Sequence, residues 1–140
     1  MIQIESVNDS NSKDAYSFLN SVPSIKSIDD NILKNAVIVY DDYKVIGSIS
    51  FEEYDSVGLI RYFVFKKNLA NSVLFELLEV LADNAKKREL VMLLCVADNN
   101  EIKGLFEELG FKSLEKKIFI NEEPILNGNH SNSHFLCRKI

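Results

Sequence analysis

The sequence predicts a mixed α/β (α+β) fold: a central sheet that combines a three-strand antiparallel meander with a parallel crossover, flanked by helices. Three observations predict it. Between Ala36 and Phe65 the chain is rich in β-branched and aromatic residues, interrupted only at Asp41-Asp42-Tyr43-Lys44 and Asp55-Ser56, which read as tight turns. Further on, Leu74, Leu77, Leu78, Leu81 and Ala85 recur at spacings of three and four, with Glu76, Glu79, Asp83, Lys86 and Lys87 mostly off that stripe. Leu90 to Ala97 then forms an unbroken apolar run, the pattern of a strand covered on both faces and paired in parallel with a neighbour. The helix between the meander and this strand is the expected crossover.

The remaining elements follow in order. Ile2-Gln3-Ile4 alternates like a short strand, and Asp9 or Ser10 is placed to cap a helix carrying Ala15, Phe18, Leu19 and Val22, stopped by Pro23. A short second helix is expected from Ser27, with Asp30 three residues on in a variant of the capping box, burying Ile28, Ile32 and Leu33. Ala36 to Tyr40, Val45 to Tyr54 and Val57 to Phe65 form the meander. After the buried strand, Asp98 and Glu101 are expected to start a helix with the stripe Ile102, Leu105, Phe106 and Leu109, and Gly110 supplies the left-handed residue that closes it under Phe111. Lys112 to Ile120 and Ser133 to Ile140 read as two final strands, joined by a loop containing Pro124 and Gly128.

Composition limits the function. A chain of 140 residues without internal repeats or a Pro/Gly-rich linker is expected to form one domain spanning residues 1–140, burying about two thirds of the surface its unfolded form exposes. A net charge of −5 argues against a nucleic-acid footprint, because Lys66-Lys67, Lys86-Lys87-Arg88 and Lys116-Lys117 are short groups with acidic neighbours. No apolar run reaches the ~20 residues that span a bilayer, and no export pattern opens the chain, so the expected location is the cytoplasm. Cys95 and Cys137 lie in apolar runs and read as free core thiols. His130 and His134 are four apart on a Gly/Asn/Ser loop, which predicts no metal site.

Over nearly its whole length this order of elements resembles the GCN5-related N-acetyltransferase (GNAT) superfamily. The most specific local match is Asn99-Asn100-Glu101-Ile102-Lys103-Gly104-Leu105-Phe106-Glu107-Glu108-Leu109-Gly110-Phe111: an Asn opens a short helix, an aromatic residue sits seven positions later, and Leu-Gly-Phe closes it. The resemblance implies an acyl-CoA N-acyltransferase-like fold, with acetyl-CoA gripped by the fourth strand and the start of the helix after it. In the family a glycine-rich loop aims backbone N–H groups at the pyrophosphate there. The equivalent stretch here, Val64-Phe65-Lys66-Lys67-Asn68-Leu69-Ala70-Asn71-Ser72, has no glycine and is shorter. What remains for the cofactor is Val64 and Phe65 at the strand end, Lys66 and Lys67 as point charges, the small Ala70, Asn71 and Ser72 as helix caps, and Asn99 at the closing helix. The binding implied is weak or atypical.

The resemblance also assigns roles to other positions. Many family members carry a Tyr on the closing helix to protonate the departing thiolate; Phe106 stands at that position here and reads as a core residue. Tyr62 is either a substitute acid or a core tyrosine. Glu52 and Glu53 are candidate bases for the attacking amine, or solvated strand residues; as neighbours in a strand, only one of them would face a cleft. Arg61, a charge inside a strand, either holds a substrate carboxylate or pairs with Glu52 across the hairpin. Two functions follow. One is direct transfer of an acyl group from acetyl-CoA to a small-molecule or peptide amine. The other is a module without catalysis, acting through a partner, a ligand or a homodimer, with Phe51, Phe63 and Phe65 on one face of the meander, where they either cover such a surface or pack in the core.

Overall fold

Strands β1 (Ile2–Ser6), β2 (Val37–Asp41), β3 (Lys44–Tyr54) and β4 (Val57–Phe65) pair antiparallel in sequence. β4 is parallel to β5 (Met92–Ala97), with helix α3 (Asn71–Lys87) as the crossover. β9 (His134–Lys139) and β6 (Lys112–Leu114) complete a seven-stranded sheet in the order β1-β2-β3-β4-β5-β9-β6. The computed structural model describes residues 1–66, 68–114, 119–120, 123–124 and 134–140. Phe119–Ile120, expected as the end of the strand from Lys112, forms β7 and pairs instead with β8 (Glu123–Pro124) in a separate two-stranded ladder.

The two-residue period of β2 distributes its side chains to two cores. Val37 and Val39 join Phe51, Leu77, Leu78, Leu81 and Phe106 under α3 and α4 (Asn100–Glu108). Ile38 and Tyr40 join Ala15, Phe18, Leu19 and Leu33 under α1 (Ser12–Asn20) and α2 (Asp30–Leu33). Each fully buried leucine of α3 contributes about 1.5–3 kcal/mol from burial alone, so the stripe read from the sequence anchors the crossover. Among the described residues no helix is long and apolar enough to cross a membrane, no group of three His, Cys, Asp or Glu is placed to hold a metal, and Cys95 and Cys137 are free thiols. His130 lies outside the described residues.

Helix starts differ from expectation in four places. Before α1, neither Asp9 nor Ser10 caps: Asn8 Oδ1 accepts from the amides of Ser10 (2.8 Å) and Asn11 (3.2 Å), so a turn consumes these donors and the helix begins at Ser12. α2 is capped by Asp29, which accepts from Asn31 N at 2.8 Å, and not from Ser27; the Tyr62 hydroxyl accepts the Asp29 N–H at 2.9 Å and holds the chain extended up to that point. α4 is capped by Asn99 (to Ile102 N, 2.8 Å) and not by Asp98, because the β5 ladder runs on to Ala97↔His134. For α3 the N-cap is Ala70, extended at φ −62° and ψ 146°; Asn71 and Ser72 are already helical, and no side chain among the described residues caps the helix start. Gly110 (φ +95°) ends α4 as expected, with Phe111 N donating to Phe106 O at 3.0 Å.

Candidate functional site

The β4–β5 ladder pairs Val57↔Met92, Gly58↔Leu93 and Leu59↔Leu94 and goes no further among the described residues. Past it the strands part. β5 continues alongside β9, whereas β4 carries a bulge: Ser48↔Val64 is followed by Ser50↔Arg61, so Ile49 faces both Tyr62 and Phe63. Tyr62 takes φ +53° to insert the extra residue, and Ser48 Oγ donates to its carbonyl at 2.6 Å. A bulge bends its strand and increases the local twist, which carries Ile60–Phe65 away from β5 and leaves that backbone edge facing a wedge. The bulge also sets faces. Arg61 and Tyr62 both turn toward α1 and α2, and Phe63 and Phe65 toward α3 and α4.

Two hollows meet at this strand end. A groove of about 680 Å³ lies between the end of β4, the start of α3 and α4, with Phe63, Phe65, Leu69, Leu74, Ile102 and Leu105 as apolar walls and Lys66, Asn68, Asn71, Asn100, Glu101 and Glu108 at its polar margins. A cavity of about 470 Å³ on the other face lies between Ser24–Ser27 of the α1–α2 connection and Arg61–Val64. Phe63 lines both. Its ring packs edge-on against Phe65 (4.9 Å between centroids) and Phe106 (5.1 Å), so the wall between the hollows is held by the aromatic core.

No protein-family model matches the sequence, and no curated protein matches it. Solved structures do match its fold. An acetyltransferase of the GNAT family from Staphylococcus aureus Mu50 superposes with a TM-score of 0.68 at 16% identity, covering 99% of each chain. Ard1 from Thermoplasma volcanium gives 0.70 at 14% identity, covering 99% of this chain and 97% of its own. N-acetylglutamate synthase from Neisseria gonorrhoeae, crystallised with coenzyme A and N-acetyl-glutamate, gives 0.70 at 17% identity over 99% of this chain, which spans 35% of that protein. The chain has the GNAT fold.

Within the GNAT fold the residues singled out from sequence separate into groups. Phe65, Lys66 and Asn71 line the groove; Asn71 Nδ2 also reaches Glu108 at 3.5 Å, and Lys66 Nζ stands 5.2 Å from the centre of the Phe18 ring. Ala70 and Ser72 sit exposed at the adjoining helix start. Val64 packs on the α1–α2 side, and Asn99 spends its side chain on the α4 cap. Lys67 lies outside the described residues. On the opposite face, Arg61 Nη1 donates to Glu52 at 2.6 Å, the cross-hairpin pair that was one of its two readings, and the Tyr62 hydroxyl lies at the α2 start. Glu53 pairs with Arg88 beyond the far end of α3.

Other chemistry is removed from the site by burial. Phe106 is 1% exposed and closes the core against Phe111 at 5.1 Å, with no hydroxyl to offer. The Cys95 thiol is buried, and burial first, then the charge of Asp98, push it up to about 12, so it stays protonated and unreactive. Burial first, then the Glu52 carboxylate, likewise raise the Tyr54 phenol. Leu69, Asn68 and the connection Ser24–Ser27 line the hollows without having been singled out. They lie in irregular segments, where no periodicity marks which way a side chain turns.

Proposed function

We propose that this protein is an N-acyltransferase that moves an acyl group from a coenzyme A thioester directly to an amine. The observation that carries this reading is the parting of β4 from β5 past Leu59, which leaves an open strand edge at the meeting point of the two hollows. The groove fits the donor in kind. Its apolar walls suit a pantetheine arm, its ~680 Å³ is within the range of small-molecule sites, and the uncapped start of α3 leaves N–H groups at the positive end of a helix dipole beside Lys66. The neutral amine nitrogen attacks the thioester carbonyl carbon, the C–S bond breaks as the C–N bond forms, and coenzyme A leaves as a thiolate that takes its proton from solvent. Backbone N–H groups along Ile60–Phe65 are the donors available to the carbonyl oxygen, and proximity of amine and carbonyl does most of the remaining work. The cavity between Ser24–Ser27 and Arg61–Tyr62 receives the amine, and Glu52, next to it through Arg61, is the carboxylate nearest to act as base. Coenzyme A complexed to the gonococcal synthase of the same fold supports the donor class.

Calorimetric titration with acetyl-CoA tests this. Saturable heat and a thermal upshift are expected; their absence at millimolar cofactor would sink the reading. A second reading, a binding module without catalysis, is favoured by one observation: Glu101 and Glu108 both line the groove, where Lys66 is the cation among the described residues. Under that reading, Lys66→Ala leaves coenzyme A affinity unchanged. Under the first it weakens binding about threefold to tenfold, as for one partly exposed charge-assisted contact.

A further inference from the structure

The cavity of about 470 Å³ is walled by Ser24, Lys26 and Ser27 from the α1–α2 connection and by Arg61, Tyr62 and Phe63 from β4. Its polar groups are mostly donors. Lys26 is exposed and has no ion-pair partner among the described residues. Arg61 gives Nη1 to Glu52, yet its side chain is 41% exposed, so much of the guanidinium fork is still open. The Tyr62 hydroxyl accepts from Asp29 N at 2.9 Å, which leaves its own hydrogen without an acceptor among the described residues. Two serine hydroxyls complete the set and can turn to donate. The carboxylates nearby do not line the cavity: Glu52 holds Arg61, and Asp29 caps Asn31 N.

A hollow that presents N–H and O–H donors, with no carboxylate in its lining, is complementary to an anion. The charge is small. With Glu52 set against Arg61, and the Asp29 carboxylate outside the lining on the Asn31 amide, Lys26 is the remaining cation of the lining, about one unit of charge. That matches a carboxylate better than a doubly charged phosphate, and the planar fork of Arg61 matches the plane of two carboxylate oxygens. Phe63, on the β4 wall beside Tyr62, is shared with the donor groove.

We propose that this cavity binds the carboxylate of the acceptor, so that the substrate class is a small amine that also carries a carboxylate, such as an amino acid, and excludes simple polyamines. The substrate half of this statement rests on the N-acyltransferase reading; the carboxylate half does not. The test is titration of the ¹⁵N-labelled protein with glutarate, with its uncharged diamide and with inorganic phosphate, following the amides of Lys26 and Tyr62. Glutarate is expected to shift both saturably and the diamide to shift neither. Lys26→Ala should weaken glutarate about tenfold and Lys26→Arg should restore it, the scale of one charge-assisted hydrogen bond. Equal binding of the diamide, tighter binding of phosphate, or indifference to Lys26→Ala overturns the proposal. A parallel titration with coenzyme A, read at Phe65 and Asn71, keeps the two readings apart. Its failure with glutarate binding intact strikes the transferase reading alone, and the reverse outcome strikes this one.

Discussion

At Gly47 the backbone of β3 touches a side chain that shapes the groove beside α3 and α4. Gly47 is paired with Phe65, and a Cβ added there would collide with Phe65 Cδ1. Gly47→Ala is therefore expected to push the Phe65 ring off its seat and cost about 1–3 kcal/mol in a urea titration, with weaker coenzyme A binding beside it. Adding Phe65→Ala should recover part of the stability loss, so the pair departs from additivity by more than about 0.5 kcal/mol; strictly additive losses would show that the ring is not what Gly47 accommodates. Phe65 was legible as a strand-end residue, and it lines the groove. Gly47 was not, because a cross-strand approach leaves no local pattern.

In the proposed function the start of α3 is where an element, and not any one side chain, holds the donor. Ala70 has the extended backbone of an N-cap but no side-chain acceptor, so the first amides of the helix have no cap. Ala70→Asp should supply one and stabilise the protein by about 0.5–1 kcal/mol in thermal or chemical unfolding. If phosphates bind these amides, the same carboxylate should lower coenzyme A affinity several-fold in calorimetry. Higher stability with unchanged affinity would move the phosphates elsewhere. Elements of this kind were readable from periodicity, as the stripe of α3 and the Asn99–Phe111 helix show, but the first residues of α1, α2 and α3 were not, and only Asn99 stood where the resemblance implied. Asp29, Asn99 and Ala70 became caps because strand pairing and a hydroxyl 33 residues away decided where each chain segment stopped being extended.

Across the whole molecule, two buried groups tie stability to alkaline pH. Burial first, then the hydrogen bond to Asp14 at 2.9 Å, raise Tyr40 to about 12 from an ordinary 10.0, and Cys95 is raised to about 12 from 9.0. Both are neutral in the fold and ionise more readily once unfolded. Their contribution is thus complete below pH 9 and is lost as pH rises toward about 12. The urea midpoint, followed by circular dichroism, should stay level up to about pH 9 and then fall with rising pH, with a shallower fall above pH 10 in Tyr40→Phe. An equal slope in that variant would remove Tyr40 from the account.

By itself the sequence determined the order of elements from β1 to α4, the faces of α3 and α4, and the placement of β5 between neighbours, since each rests on a repeat within a few residues. Phe65, Lys66 and Asn71, which line the groove, were brought out by the resemblance and by no such repeat. Only the tertiary structure decided that β4 leaves β5 after Leu59, that a bulge at Tyr62 turns Arg61 and Tyr62 to one face and Phe63 and Phe65 to the other, and that Glu52 and Glu53 are held by arginines 9 and 35 residues away. The reason is physical. Burial periodicity is set by the backbone of one element, whereas a cleft is made where two elements stop pairing, and that depends on contacts between residues far apart in the chain.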